Sequence, residues 1–155
     1  MTLFNLGRWI ARQITGPGDR DMKIYVIGPP GSGKSKTALR LSLSIRKWIS
    51  WYIHKDFDHG EDYFKLDSDH LAVISSEDLY KMMTSYPPMY QVRIADDCGN
   101  SAGFDSRQSM SRKNMDMNSI WSTNRTRHCV TIVTMHDLNF NDLRQVLLAD
   151  IVIDL

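Results

Sequence analysis

Two kinds of pattern alternate along the chain: short, mainly apolar runs, and longer stretches whose apolar residues recur at helical spacing. The runs occupy residues 24–27, 71–74, 90–95, 129–133 and 151–153. Runs this short predict strands buried on both faces, and the run over 90–95 is read as a strand with them although Gln91 and Arg93 interrupt it. Between the first two, Ala38, Leu41, Ile45, Trp48 or Ile49 and Tyr52 trace one face of a helix. It begins near Thr37 and extends about 20 residues, roughly 30 Å. Ser75-Ser76-Glu77-Asp78 reads as a helix start, Leu79, Met82 and Met83 as its apolar face, and Pro87-Pro88 as its end. Residues 111–126 and 141–148 predict two further helices. Ahead of all these, Leu3, Leu6, Ile10 and Ile14 share one face of a short helix, with Phe4 and Trp9 nearby and Arg8 and Arg12 among its polar positions. Gly16-Pro17-Gly18 separates that helix from the rest. The expected organisation is therefore an amphipathic helix and linker over residues 1–20, then one domain over 21–155. Residues 56–69 carry Asp56, Asp58, Glu61, Asp62, Asp67 and Asp69 against Lys65 and read as a solvated connection, without the spacing of a calcium loop.

Strands alternating with helices predict a parallel sheet with helices on both faces, whose ligands bind beyond the carboxyl ends of the strands. The chemistry falls at those ends. Gly28-Pro29-Pro30-Gly31-Ser32-Gly33-Lys34-Ser35 fits the phosphate-loop pattern G-x-x-x-x-G-K-[ST], directly after a strand and before a helix. Glycines let backbone N–H groups turn toward phosphate oxygens at the positive end of a helix. Residues Gly28 through Lys36 are thus expected to bind ATP. Within the loop, Lys34 would reach the β- and γ-phosphates and Ser35 would ligate Mg²⁺. The strand over 90–95 delivers Asp96, the expected direct or outer-sphere Mg²⁺ partner, and Asp97, which would polarise a water near the γ-phosphate. Thr134 and His136 end the fourth strand and share a side if the strand stays regular, so His136 is a candidate to bond water or phosphate. Three strand ends converging on one crevice amount to an active site.

Composition narrows the partners. At 155 residues the chain holds one core, and 42% hydrophobic with 24% charged residues is ordinary globular composition. A net charge of +1 gives no global case for nucleic acid, so any such surface is local. Arg107, Arg112, Lys113, Arg125 and Arg127 outnumber Asp105 and Asp116 between residues 104 and 127. That patch suits a phosphate backbone, and a solvated helix face explains it equally well. Trp121 is its one aromatic that could stack on bases, so contact without sequence readout is expected. Cys98 and Cys129 lack metal-ligand spacing and read as buried thiols of a reducing compartment. No apolar run approaches the roughly 18 residues of a membrane span, and no signal-peptide core is present. A cytoplasmic location follows, the host's if the chain is viral. The first helix would pack on its own domain, a neighbouring subunit or a membrane surface.

Beyond these readings, the chain resembles the FtsK/HerA group of additional-strand ATPases, including its zonula occludens toxin-like and viral genome-packaging branches. The resemblance rests on the phosphate loop, Ile94-Ala95-Asp96-Asp97, Phe104-Asp105-Ser106-Arg107, and the stretch from Thr123 to Asp150. That stretch holds Asn124-Arg125-Thr126-Arg127-His128, Thr134-Met135-His136, Asn141-Asp142-Leu143-Arg144 and Ala149-Asp150. It implies a three-layer α/β P-loop fold with a five-stranded parallel sheet in RecA-like order, the fourth strand lying between the loop strand and the Asp96 strand. It also implies a ring-forming motor that couples ATP hydrolysis to moving DNA. In such rings an arginine from one subunit completes the neighbour's site. Arg107, Arg125, Arg127 and Arg144 are candidates, with Arg127 and Arg144 preferred. Two departures stand out: Asp97 replaces the group's usual glutamate, and His136 its usual glutamine sensor. The chain also stops at the fifth strand, as a minimal motor or a fragment would. A small-molecule P-loop kinase and a nucleotide switch that hydrolyses poorly remain as alternatives. The acid pair followed by a polar strand end argues against the kinase.

Overall fold

The computed structural model describes residues 2–17, 20–67, 70–73, 82, 88–97, 127–136 and 147–155. Helix α1 (Leu3–Thr15) opens with Thr2, whose side chain accepts the Asn5 N–H at 3.4 Å. Strand β1 (Met22–Ile27) leads through the phosphate loop into α2 (Lys34–His54). A 3-10 turn (Asp58–Asp62) follows, then β2 (Leu71–Val73), β3 (Val92–Asp96), β4 (Val130–Met135) and β5 (Ile151–Asp154). The helices expected over 75–86, 111–126 and 141–148 lie outside the described residues, apart from Met82, which is helical and buried, and Leu147 and Leu148.

Every strand pair is parallel, and the order is β2-β3-β4-β1-β5. β4 therefore lies between the loop strand and the Asp96 strand, where the resemblance puts it. All six residues of β4 are buried, as befits a strand flanked on both edges. Met22, Ile24 and Val26 join Val92, Ile94, Val130 and Ile132 in one core with Ala38, Leu41, Ile45 and Ile49 of α2. The intervening Tyr25, Ala95 and Val133 are also fully buried, so both faces of the central strands are covered.

Element boundaries shift for local reasons. β3 begins at Val92, after Tyr90 turns left-handed at φ 66°, and β4 begins after His128 does so at φ 56°. α2 starts three residues before Thr37 because Gly33, at φ 90°, caps it directly from the phosphate loop. The acidic stretch departs from a purely solvated connection: Tyr63 and Phe64 are buried inside it and close one end of the core. Arg46 donates to the Phe64 carbonyl and Gln91 to the Asp62 carbonyl, each at 2.8 Å. Carboxylates on either side masked these two aromatics in the sequence pattern.

α1 packs on its own domain. Ile10, Ala11 and Ile14 enter the main core, and His128 donates from Nδ1 to the Ile14 carbonyl at 2.9 Å. The helices approach closely at Gly7, where an added Cβ would lie 2.7 Å from Ser44 Cβ and 3.2 Å from the Ile45 nitrogen. Gly7→Ala should therefore force α1 away from α2 and destabilise the domain by about 1–3 kcal/mol. A lower urea midpoint at unchanged slope would register that loss; an unchanged midpoint would mean the helices separate freely. Cys129 is a buried thiol, pushed up to about 11 chiefly by burial, and Cys98 lies outside the described residues. No described helix is long and apolar enough to cross a membrane.

Candidate functional site

β1 ends at Ile27 beside Met135 of β4, so the phosphate loop and His136 leave the sheet together at the carboxyl ends of their strands. Gly28 is buried, while Pro29, Pro30 and Gly31 are exposed around a turn in which the Ser32 N–H donates to the Pro29 carbonyl at 3.2 Å. Gly31 and Gly33 hold φ 79° and 90°, and a Cβ on either would meet nothing within 4 Å. The backbone thus bends through left-handed turns around open space, a shape that suits a phosphate group. Ser32 Oγ is buried without a hydrogen-bond partner among the described residues, a hydroxyl still owed an acceptor.

Lys34 does not extend outward. It is 8% exposed, and its Nζ donates to the Gly28 and Pro29 carbonyls, both at 2.8 Å. The ammonium folds back over the loop that it would otherwise complete, using two of its three donors on backbone carbonyls. Ser35 and Lys36 stand exposed in the first turn of α2, at its positive end.

Across β4 lie the two acids. Asp96 closes β3, and Thr134 Oγ1 donates to its Oδ1 at 2.6 Å. The same hydroxyl oxygen accepts the Asp97 N–H at 2.8 Å. Thr134 is 1% exposed and occupies the same face as Val130 and Ile132, turned toward α2. One side chain thereby sets the position of both acids. Asp97 sits at φ 53°, a left-handed conformation that aspartate tolerates better than most residues, which turns its carboxylate off the strand. His136 Nε2 lies 3.3 Å from Asp97 Oδ1, with both side chains about half exposed.

The sequence places Thr134 at the strand end on the same side as His136; its bond to Asp96 follows from the pairing of β3 with β4. Thr134→Val keeps the shape and leaves both partners unsatisfied. The expected result is a loss of about 1–3 kcal/mol in stability and at least about a tenfold fall in turnover. Thr134→Ser should restore most of both. Turnover unchanged in the valine variant would detach this hydroxyl from the chemistry.

The arginines are placed differently. Arg127 precedes β4 at the opposite, amino end of the strands, where its carbonyl accepts the Tyr90 N–H at 3.0 Å. A six-residue strand spans about 20 Å, so Arg127 stands far from its own chain's phosphate loop. Arg107, Arg125 and Arg144 lie outside the described residues, as do Arg112 and Lys113. Asp150 of the Ala149-Asp150 pair is also at that amino end, with Oδ2 accepting the Lys23 N–H at 2.7 Å. Burial pushes the nearby Asp21 carboxyl up, opposed by the Cys129 N–H that it accepts. A cavity of about 330 Å³ lined by Arg20, Asp21, Lys23 and Leu147 to Asp150 opens there, away from the loop. Among the described residues no group of three or more His, Cys, Asp or Glu is gathered closely enough to hold a metal alone.

No protein-family model matches the chain, and no curated protein matches it at a significant level. Among solved structures, a DNA polymerase III gamma subunit-related protein from Thermotoga maritima matches all of this chain with TM-score 0.53 at 12% identity. A RuvB variant from Thermotoga maritima matches 98% of it with TM-score 0.49 at 11% identity. The chain spans 46% and 42% of the length of these two proteins. At such identity the first likeness establishes the fold alone, a layered α/β domain on a parallel sheet.

Proposed function

We infer that the chain binds and hydrolyses Mg·ATP as a motor domain acting on nucleic acid, with DNA favoured, in a homo-oligomeric ring. Translocation, packaging or transfer of DNA is the activity that this reading assigns. The observation that carries it is the meeting of the glycine-built loop with Asp96, Thr134, Asp97 and His136 at neighbouring strand ends. Residues 21–155 form the nucleotide-binding unit, to which α1 adds a packed layer.

In this reading backbone N–H groups of Gly31 to Lys36 and the Ser32 hydroxyl hold phosphate oxygens, and the Lys34 ammonium exchanges two carbonyls for phosphate. Ser35 and Asp96 would hold Mg²⁺, which when bound neutralises charge on the phosphates. Thr134 keeps Asp96 oriented for that task. Asp97 accepts a hydrogen bond from the attacking water and draws off its proton, while His136 fixes the Asp97 carboxylate from the solvent side. Arg127 or Arg144 of a neighbouring chain supplies the positive charge that the phosphoryl oxygens require. The distance of Arg127 from its own loop favours such a role in trans.

Steady-state phosphate release from Mg·ATP, with and without double- and single-stranded DNA and beside a Lys34→Ala control, tests this function. A several-fold rise with DNA that the control lacks supports the motor. A second reading, a nucleotide switch, draws on the retracted Lys34 and the short Asp97 held by His136. Tight ATP retention with negligible turnover in every condition would select it, and ADP formation that depends on a small acceptor would select a kinase.

A further inference from the structure

The outer surface formed by α1 and α2 combines exposed aromatic rings with cations and lacks acids along both helices. Neither Leu3–Thr15 nor Lys34–His54 contains an Asp or Glu. Along α2, Arg40, Leu43, Lys47 and Trp51 recur three or four residues apart and are all exposed, so they form one outward stripe. Phe57 extends it: its ring stacks on Trp51 at 5.1 Å and 19°, with Lys47 Nζ 5.0 Å from its centroid. On the α1 side, Phe4 packs on Trp48 at 5.2 Å, and the Arg8 guanidinium covers the same indole at 4.8 Å. Trp9 and Arg12 point outward from α1. Asp58, Glu61 and Asp62 are exposed just past the end of α2 and bound the patch there, which centres it on α1 and the middle of α2.

We propose that this face is a peripheral docking surface for an anionic lipid bilayer. Indole and phenyl rings bearing cations on their flanks suit the headgroup boundary, where the rings reach the acyl region and the cations meet lipid phosphates. The patch offers little to nucleic acid. Trp51 and Phe57 occupy each other's faces, Trp48 is covered by Arg8, and Leu43 at the centre of the stripe has no partner in a base or phosphate. An isologous contact with a second copy fits poorly as well, because it would set Arg40 and Lys47 against like charges.

Co-sedimentation of the full chain with vesicles decides the matter, comparing phosphatidylcholine alone with phosphatidylcholine containing about one-third phosphatidylglycerol. Binding at least about fivefold greater to the anionic vesicles, weakening with salt, is expected. Two variants, Trp9→Ser with Trp51→Ser and Arg12→Glu with Arg40→Glu, should each fall to the neutral-vesicle level while keeping wild-type ATP binding and melting temperature. Equal sedimentation with both vesicle types, or variants that bind like wild type, would overturn the proposal. So would oligonucleotide binding or self-association that these variants lose while wild type ignores vesicles; either result would give the face to that partner instead.

Discussion

Lys34→Ala should reduce phosphate release from Mg·ATP by at least about a hundredfold, the scale on which single charge-stabilising donors act in phosphoryl and acyl transfer. Two effects combine in that loss. The positive charge nearest the loop disappears, and with it the charge-assisted bonds that a phosphate would gain in exchange for the Gly28 and Pro29 carbonyls. The ligand-free fold should suffer too, by about 1–3 kcal/mol, because those carbonyls lose their shared donor. Lys34→Met loses the same donor and charge but keeps the bulk of the side chain, so comparison with Lys34→Ala separates packing from the ammonium. Its unbranched stem fills the space of the largely buried lysine side chain, so packing is retained while the ammonium is not. Thermal melting without nucleotide, beside titration of a fluorescent ATP analogue, reads the two effects independently. A methionine variant that hydrolyses ATP normally would remove the Lys34 ammonium from the mechanism.

Asp97→Asn is the second large effect. Asparagine tolerates the left-handed backbone that Asp97 adopts at φ 53°, so the turn should persist. Its side-chain oxygen can keep the 3.3 Å approach to His136 Nε2, and its backbone N–H still donates to Thr134. Only the negative charge and its basicity are lost. The expected outcome is ATP affinity within about threefold of wild type and turnover lower by about 10²–10⁴. Single-turnover hydrolysis measured with the dissociation constant distinguishes this from a folding defect. Turnover near wild type would assign water activation to another group, while a matching loss of affinity would place Asp97 on the metal.

Much of the scaffold was legible from local pattern. Short, mainly apolar runs marked most strands because parallel strands buried on both faces have no solvent side to alternate toward; the run into β3 alternates Gln91 and Arg93 with Val92 and Ile94, yet all four are buried. The phosphate loop could be read whole because all its parts are contiguous and flanked by a strand and a helix. The buried aromatics of the acidic stretch were missed, since Tyr63 and Phe64 owe their burial to contacts with distant elements and not to periodicity in the stretch itself.

The sequence by itself determined the strand and helix repertoire, the glycine-rich turn into α2, and the delivery of two acids to the end of a strand. These depend on residues near one another in the chain, through side-chain alternation, helical spacing and the freedom of glycine at positive φ. Only the tertiary structure decided that Thr134 bonds Asp96 across 38 residues, that Lys34 folds back on its own loop, and that α1 completes the core. Each depends on which strands and helices become neighbours. That choice is made by the summed burial of β4 between β1 and β3 and of α1 against α2, and no single segment encodes it.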